Sequence, residues 1–184
     1  MSETKKTPGQ VILSWWGRRL NSDTGAARKA RAQLRRATSP SEVLALDVTH
    51  DLHGHLGINL ARGDGPLRLA LVAATVAGLN SSVRASLPRR FGEGDGDNRH
   101  LSPLRFQRIL RAGDDWELAI RLRRALPIVG RTANVAGLGA DLLRWGEDVR
   151  TRWCFDYFGA APPDAPDPGD APDPSEPSAD HQEG

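Results

Sequence analysis

Histidine and aspartate side chains concentrate in the segment from Asp47 to His55. Imidazole and carboxylate groups can bind zinc, iron or manganese, and the His50-Asp51 dipeptide also occurs in metal-dependent phosphohydrolases. On a helix, however, only residues three or four apart share a face. Enzymes of that class need further ligands from other helices, and only two more histidines, His100 and His181, are present. We therefore expect neither a metal nor any other cofactor. A metal-dependent phosphohydrolase or nuclease stays the alternative, with Asp47, His50, Asp51 and His55 as its candidate residues.

Other motifs that carry catalysis are missing from the sequence. It has no Gly-Lys-Ser or Gly-Lys-Thr phosphate loop and no Gly-x-Ser-x-Gly turn for a serine nucleophile. Gly137-Leu-Gly139 lacks a preceding strand and a third glycine, so it is not a dinucleotide-binding fingerprint. Cys154 is the single cysteine, which rules out an intramolecular disulfide and a thiolate metal cluster. We expect Cys154 to be a small core residue and the protein not to be an enzyme.

Arginine is the residue type that the chain concentrates most. Of its 25 basic residues, 22 are arginine, and residues 1–160 hold all 25 against 16 acidic residues. A genomic preference for arginine codons could explain the ratio of arginine to lysine, but not the clustering along particular segments. A segment with this excess of positive charge suits a polyanionic partner, and the arginine fork binds phosphate in a bidentate manner. The sequence therefore favours a protein that holds nucleic acid.

The elements that carry these arginines are predicted to be helical. Apolar residues recur at spacings of three and four, and no sustained alternation typical of strands is found. We expect an all-α fold, a compact bundle of about six to nine helices. The expected segments are a helix Gln10–Leu20, a helix capped by Thr24 and ending near Ala37, a weaker helix Ser41–Leu56, a core helix Pro66–Leu79, a flexible acidic loop Gly92–Asn98 within Pro88–His100, a helix starting at Ser102-Pro103, one after Gly113 that Pro127 kinks or ends, and a long helix Asn134–Phe158.

Helical wheels place the cations on outward faces of three of these segments. In the second helix they lie opposite Ala27, Ala30 and Leu34, and a bound anion accounts better than solvent for five cations on one face. The nucleic-acid-binding residues predicted from these faces are Arg28, Lys29, Arg31, Arg35, Arg36, Arg105, Arg108, Arg111, Arg121, Arg124 and Arg131, and the family resemblance described below adds Arg123. Core packing is the better interpretation for Trp15, Trp145 and Trp153, whereas Trp16 and Trp116 are expected to be more exposed.

Three parts of the chain are predicted from composition: a flexible N-terminus 1–8, a helical nucleic-acid-binding domain 9–160, and a disordered tail 161–184. The tail holds seven of the 23 acidic residues and seven of the 13 prolines. It could compete with nucleic acid for the basic faces, although solvation is the commoner fate of such tails. The most apolar stretch, Leu67–Leu79, is too short to span a membrane, and the N-terminus has no apolar signal core. We expect a cytoplasmic protein with no membrane contact.

Five short elements occur in an order that resembles the CasB family, the small subunit of the type I-E CRISPR Cascade complex. They are Trp15-Trp16 with Leu20, the Gly25–Arg36 segment ending in Leu34-Arg35-Arg36, Arg105-Phe106 with Ile109-Leu110, Leu122-Arg123-Arg124, and Asp141 to Trp145 with Trp153, Asp156 and Tyr157. The likeness covers about residues 9–158. The sequence departs from the family in its acidic tail, in Cys154 where an alanine is usual, and in the His50–His55 segment.

The resemblance implies an all-helical, non-catalytic subunit that is present in two copies in an RNA-guided antiviral complex. Such a subunit would contact other Cascade subunits, CRISPR RNA, and the target and displaced DNA strands, which stabilises the R-loop. Because base pairing supplies the sequence specificity, contacts to phosphates alone are sufficient for this role. A protein-assembly module, in which the arginines meet acidic partner proteins and no nucleic acid, stays open as a further alternative.

Overall fold

The computed structural model describes residues 6–160, which are mostly helical. Their α-helices are α1 (Pro8–Arg19), α2 (Gly25–Arg36), α3 (Pro40–Leu44), α4 (Asp47–Leu56), α5 (Gly65–Val76), α6 (Leu87–Gly92), α7 (Pro103–Leu110), α8 (Asp115–Ala125), α9 (Val135–Leu143) and α10 (Glu147–Phe158). Two strands of two residues, β1 (Ser81–Ser82) and β2 (Thr132–Ala133), pair in parallel. The predicted all-α class is confirmed. The predicted boundaries at residues 8 and 160 are not tested, and the predicted tail lies outside the described residues.

The described part has ten α-helices, because two of the seven predicted helices are each divided and α6 was not predicted. The helix predicted over Ser41–Leu56 breaks between α3 and α4, where the Thr49 hydroxyl donates to the Val43 carbonyl oxygen at 2.7 Å. In a continuous helix that carbonyl would accept from the backbone N–H of Asp47. The helix predicted over Asn134–Phe158 breaks at Gly146, whose extended backbone precedes α10. Periodicity alone could not locate these breaks.

The apolar helix α5 lies at the centre of the core, as predicted. Its residues from Leu69 to Val76 are buried, and Leu71 and Val72 have no exposed surface. Helices α3, α8 and α9 pack against it, α1 packs on α9, and α6 packs on α10. This arrangement leaves the outward faces of α2, α7 and α8 available to carry arginines.

The acidic loop was predicted over Gly92–Asn98, and the helix that precedes it was not predicted. Residues Leu87–Gly92 form helix α6, in which Phe91 is fully buried. The Ser86 hydroxyl caps this helix by accepting from the backbone N–H of Arg89 at 3.4 Å. The run of glycines and acids that follows drew the prediction toward a loop, although Ser86 followed by Pro88 is a helix-start signal. A short 3-10 turn, Gly96–Asn98, continues the segment.

The helix ends around α7 and α8 agree with the prediction. Helix α7 begins at Pro103, although the side chain of Ser102 makes no capping hydrogen bond. Helix α8 ends at Ala125, and a 3-10 turn that contains Pro127 follows. Proline has no backbone N–H to donate within a helix, so it ends α8 as expected.

Tryptophan burial agrees with the prediction at three positions and disagrees at one. Trp15, Trp145 and Trp153 are buried. The prediction that Trp16 is exposed is wrong, because its side chain is 4% exposed and its indole N–H donates to the Val76 carbonyl oxygen at 3.0 Å. Trp116 is partly buried. Within the described residues, no helix is both long enough and apolar enough to cross a membrane.

The cap of helix α2 gives a first prediction. The Thr24 hydroxyl accepts from the backbone N–H of Ala27 at 3.1 Å. The first residue of α2 is Gly25, and glycine has a low helix propensity, so the helix start depends on this cap. Thr24→Ala is therefore expected to lower the free energy of unfolding by about 1 kcal/mol in urea denaturation. Ser102→Ala is the matched control, since Ser102 holds the same position before α7 without a capping bond, and it should change stability by less than about 0.5 kcal/mol. Equal losses in the two variants would contradict the role of the cap.

Candidate nucleic-acid interface

A groove of about 410 Å³ runs between the C-terminal end of α2 and helix α8. Five arginines line it, and no aspartate or glutamate is among its lining residues; the arginines are Arg35, Arg36, Arg123, Arg124 and Arg131. Trp116 and Ile120 supply its apolar part. A concave surface with several guanidinium groups and no carboxylate attracts an anion.

The arginines of this groove come from two Leu-Arg-Arg triplets, Leu34-Arg35-Arg36 and Leu122-Arg123-Arg124. Both leucines are fully buried. In each triplet the first arginine is partly buried and the second is exposed. Successive residues of a helix are turned by about 100°, so a buried leucine directs the residue two positions later toward solvent. Helical geometry thus gives the two triplets the same division of roles.

The first arginine of each triplet binds the carbonyl end of a neighbouring helix. Arg35 Nε donates to the Ala77 carbonyl oxygen at 2.6 Å, and its Nη2 donates to Asn80 Oδ1 at 2.8 Å. Arg123 Nη1 donates to the Ala37 carbonyl oxygen at 2.9 Å, and its Nη2 donates to the carbonyl oxygen of Arg35. These carbonyls lie at the C-terminal ends of α5 and α2, where backbone carbonyl oxygens lack N–H donors within their own helix. We call Arg35 and Arg123 the capping arginines.

The electrostatics of the groove follow from this crowding. Burial lowers the pKa of Arg35, and the nearby positive charges of Arg31 and Arg131 lower it further. Burial likewise lowers the pKa of Arg123. Guanidinium groups stay protonated near neutral pH in spite of such shifts. The uncompensated repulsion among them would be relieved by a bound anion.

A second groove of about 350 Å³ lies between α7 and α8. Arg105, Arg108, Arg121 and Arg124 line it, with Ile109 and Ile128 among its apolar residues. Arg124 also lines the first groove, so the two grooves adjoin along α8. Arg121 forms an ion pair with Glu117 on the same helix, which neutralises it.

Five other arginines of the two grooves are not capping arginines and form no ion pair with any carboxylate whose side chain the structure describes. We call them the arginine strip: Arg36, Arg105, Arg108, Arg124 and Arg131. The first four are exposed. Arg131 is partly buried, its backbone has a φ of 58°, and backbone hydrogen bonds to Leu126 and Asn80 hold it at the end of the first groove. A positive φ is costly for a residue other than glycine, so the surrounding structure fixes this backbone conformation. The side chain is held by its own contact, because Nη1 donates to the Gly78 carbonyl oxygen at 3.3 Å.

The other predicted binding residues lie outside the two grooves. Arg28 forms an ion pair with Asp23 at 2.6 Å, and Lys29 is exposed on the same helix. Arg31 lies near Arg35, and Arg111 lines a different cavity beside Cys154. The structure thus brings together eight of the twelve predicted residues in the two grooves, and separates Arg28, Lys29, Arg31 and Arg111 from them.

Sequence reasoning missed two features of this interface. It did not find the capping role of Arg35 and Arg123. The repeated Leu-Arg-Arg triplet is the signal that was available, because the buried leucine gives the two arginines that follow it different degrees of exposure. It also did not place Trp116 in the groove, where its indole N–H donates to the Thr38 carbonyl oxygen at 3.2 Å. Both features depend on which helix ends lie next to each other.

The histidine-rich segment does not form a metal site in the described part of the chain. There, no group of three or more histidine, cysteine, aspartate or glutamate residues is arranged to hold a metal. His50 Nε2 lies 2.7 Å from the Leu44 carbonyl oxygen, and His55 Nδ1 lies 2.7 Å from that of Asp51. The Asp51 carboxylate forms an ion pair with Arg19 at 3.3 Å. These contacts give the residues ordinary roles at a helix surface, so no arrangement of ligands supports the phosphohydrolase alternative.

Comparison with known structures gives two similar chains. CasB from Thermus thermophilus is 30% identical, with a TM-score of 0.67, over 84% of this chain and 100% of that chain. A chain of E. coli Cascade bound to a PAM-containing dsDNA target is 17% identical, with a TM-score of 0.60, over 79% of this chain and 93% of that chain. The second likeness shows the fold alone. No curated protein sequence matches the chain.

The family model described as CRISPR-associated protein Cse2 matches residues 30–158. That range contains both Leu-Arg-Arg triplets and helices α7 and α8, which build the two grooves. It also contains all of α10. The matched range is most of the part of the chain that the structure describes. The likeness to the Thermus protein likewise extends over the whole of that protein. The chain therefore belongs to the Cse2 family of CRISPR-associated proteins, of which CasB is a member.

Proposed function

We propose that this chain is a non-catalytic subunit of a type I-E CRISPR RNA-guided complex, in which it holds guide RNA and the target and displaced DNA strands. The observation that carries the proposal is the arginine strip, five guanidinium groups in two adjoining grooves without a carboxylate partner among the described residues. Membership of the Cse2 family supports the same role.

The strip can bind nucleic acid through its phosphates. Each guanidinium presents a planar fork that matches two phosphate oxygens, and each neutralised phosphate releases condensed counterions. Such contacts position a strand without reading its bases, so sequence specificity would come from base pairing with the guide RNA. The chain then contributes to antiviral defence by stabilising the R-loop and not by a chemical step.

The proposed partners are other Cascade subunits, CRISPR RNA, the two DNA strands and a second copy of this chain. The E. coli structure that shares the fold is a Cascade bound to a dsDNA target, which supports such an assembly. The predicted cytoplasmic location and the presence of two copies stay predictions.

The test replaces four strip residues together: Arg36→Ala, Arg105→Ala, Arg108→Ala and Arg124→Ala. Binding of fluorescently labelled single-stranded DNA and RNA is followed by anisotropy between about 50 and 200 mM salt. We expect affinity at low salt to fall by at least about tenfold for every sequence. The slope of log affinity against log salt should shrink by roughly 3, since single strands lose about 0.7 per phosphate contact.

A matched control changes the net charge by the same amount elsewhere. The control replaces with alanine four exposed arginines chosen from those that line neither groove: Arg62, Arg84, Arg89 and Arg144. This variant should keep affinity within about twofold and leave the slope nearly unchanged. An equal loss in the two variants would mean that overall charge alone attracts nucleic acid, which contradicts the proposal. Normal nucleic-acid binding by the strip variant, with loss of co-purifying Cascade subunits, would favour the assembly-module alternative.

A further inference from the structure

The acidic residues that follow Ala160 are spaced regularly. Five of them recur at every third position among prolines, and they are Asp164, Asp167, Asp170, Asp173 and Glu176. A polyproline II helix has three residues per turn and rises about 3.1 Å per residue. In that conformation the five carboxylates would share one face, at intervals of about 9 Å. These residues lie outside the described part, so the pattern is a property of the sequence.

The first groove has the chemistry that such a segment needs. Proline-rich segments in the polyproline II conformation dock in grooves lined by aromatic side chains. Trp116 and Ile120 form the apolar part of the groove, and the arginines that line it form no ion pair with a carboxylate whose side chain the structure describes. The prolines of such a segment could contact the apolar part of the groove, and its carboxylates could pair with the arginines.

The place where the chain leaves the fold favours the same contact. The Tyr157 ring stacks on the Phe106 ring, with centroids 4.1 Å apart and an interplanar angle of 8°, so the end of α10 lies against α7. Helix α7 carries Arg105 and Arg108 of the arginine strip. Twenty-four residues in polyproline II conformation would reach about 70 Å, whereas a domain of this size is roughly 40 Å across. Length does not prevent the segment from reaching either groove.

We propose that residues 161–184 bind along the arginine strip of their own chain and occupy the sites of nucleic-acid phosphates, so that nucleic acid must displace them. The competition rests on the proposed function, whereas the docking itself rests on the groove and the spacing of the acids. Because the segment is tethered, its effective concentration at the strip is in the millimolar range. Nucleic acid that binds the strip weakly would be excluded from it by the segment. Strands that an assembled complex holds next to the strip would still displace the segment.

The first test neutralises the tail in the full-length chain without changing its length. The substitutions are Asp164→Asn, Asp167→Asn, Asp170→Asn, Asp173→Asn, Glu176→Gln, Asp180→Asn and Glu183→Gln. We expect single-stranded DNA to bind about tenfold more tightly at 50 mM salt, and the gain to shrink below about threefold at 200 mM because salt screens the competing contacts. In the strip variant described above, the same neutralisation should give less than about a twofold gain, since the strip no longer holds the tail.

The second test needs no nucleic acid. A fluorescent peptide of residues 161–184 is titrated with the neutral-tail chain, with and without the four strip substitutions. Saturable binding that the strip substitutions remove, and that an Asn/Gln version of the peptide lacks, is the expected result. If no peptide binds and tail neutralisation leaves DNA affinity unchanged, the inference is overturned while the proposed function stands. If the peptide binds but no variant binds nucleic acid, the docking stands and the proposed function fails.

Discussion

Replacing both capping arginines with methionine is expected to lower the free energy of unfolding by about 3–5 kcal/mol. Methionine keeps an unbranched apolar side chain but supplies no hydrogen-bond donors. The substitutions Arg35→Met and Arg123→Met would leave the carbonyl oxygens of Ala37 and Ala77 without the guanidinium bonds that they now accept. Each carbonyl that loses its partner in a partly buried position costs about 1–3 kcal/mol. Urea denaturation followed by circular dichroism measures the loss.

The neighbouring residues of the same triplets provide the control. Arg36 and Arg124 are exposed. Arg36 donates only to the Ala32 carbonyl of its own helix, and Arg124 lines both grooves. Arg36→Met with Arg124→Met should change stability by less than about 1 kcal/mol and instead weaken nucleic-acid binding. A similar loss of stability in both double variants would show that the capping contacts have no special role.

Gly92→Ala is expected to destabilise the fold by about 3 kcal/mol or more. Gly92 ends α6 where that helix meets α10, and a Cβ atom there would lie 1.8 Å from the carbonyl oxygen of Tyr157. Because the obstacle is backbone, relief requires the two helices to separate. Arg99 Nη1 donates to the carbonyl oxygens of both Gly92, at 2.7 Å, and Tyr157, at 3.1 Å, and separation of the helices would disturb these two hydrogen bonds. Thermal and urea denaturation both report the change.

Gly17→Ala is the matched control for this prediction. Gly17 lies inside α1, where an added Cβ would meet no atom within 4 Å. Alanine favours helix over glycine by about 1 kcal/mol, so this variant should be as stable as the parent or more stable. If Gly92→Ala behaves like Gly17→Ala, the close approach of α6 to α10 does not constrain the fold.

The sequence predicted those parts of the fold that depend on local patterns. The caps at Thr24 and the start of α7 at Pro103 follow from residue types at helix ends, and the burial of Leu71 and Val72 follows from an uninterrupted apolar run. The breaks inside two long helices could not be found in this way. At the first break the Thr49 hydroxyl donates to the Val43 carbonyl oxygen, six positions earlier in the chain, and the spacing of apolar residues does not reveal such a side-chain contact.

Burial of Trp16 illustrates the same limit at a single residue. Trp16 lies in α1, which packs against α9 on one face and against α4 on another. More of the surface of α1 is therefore covered than a helix with a single apolar face would require. The indole then finds an acceptor at Val76, sixty positions away in the chain. Contacts across such separations leave no local trace in the sequence.

The candidate interface could be predicted in position but not in its division of roles. The helical wheel places the basic residues of α2 away from Leu34, and the structure agrees that they lie outside the core. Whether a given arginine reaches a solvent groove or a carbonyl end depends on the helix that packs beside it. For Arg35 that neighbour is α5, and for Arg123 it is α2.

The pairing of a capping arginine with an exposed one has a consequence for conformational entropy. An exposed arginine on a loosely held helix end loses backbone and rotamer freedom when it binds, and that loss weakens affinity. Here the backbone that carries Arg36 and Arg124 is fixed by hydrogen bonds of the residue immediately before each of them. The guanidinium groups are therefore presented from a preorganised frame, and most of the ordering that phosphate binding requires is completed when the chain folds.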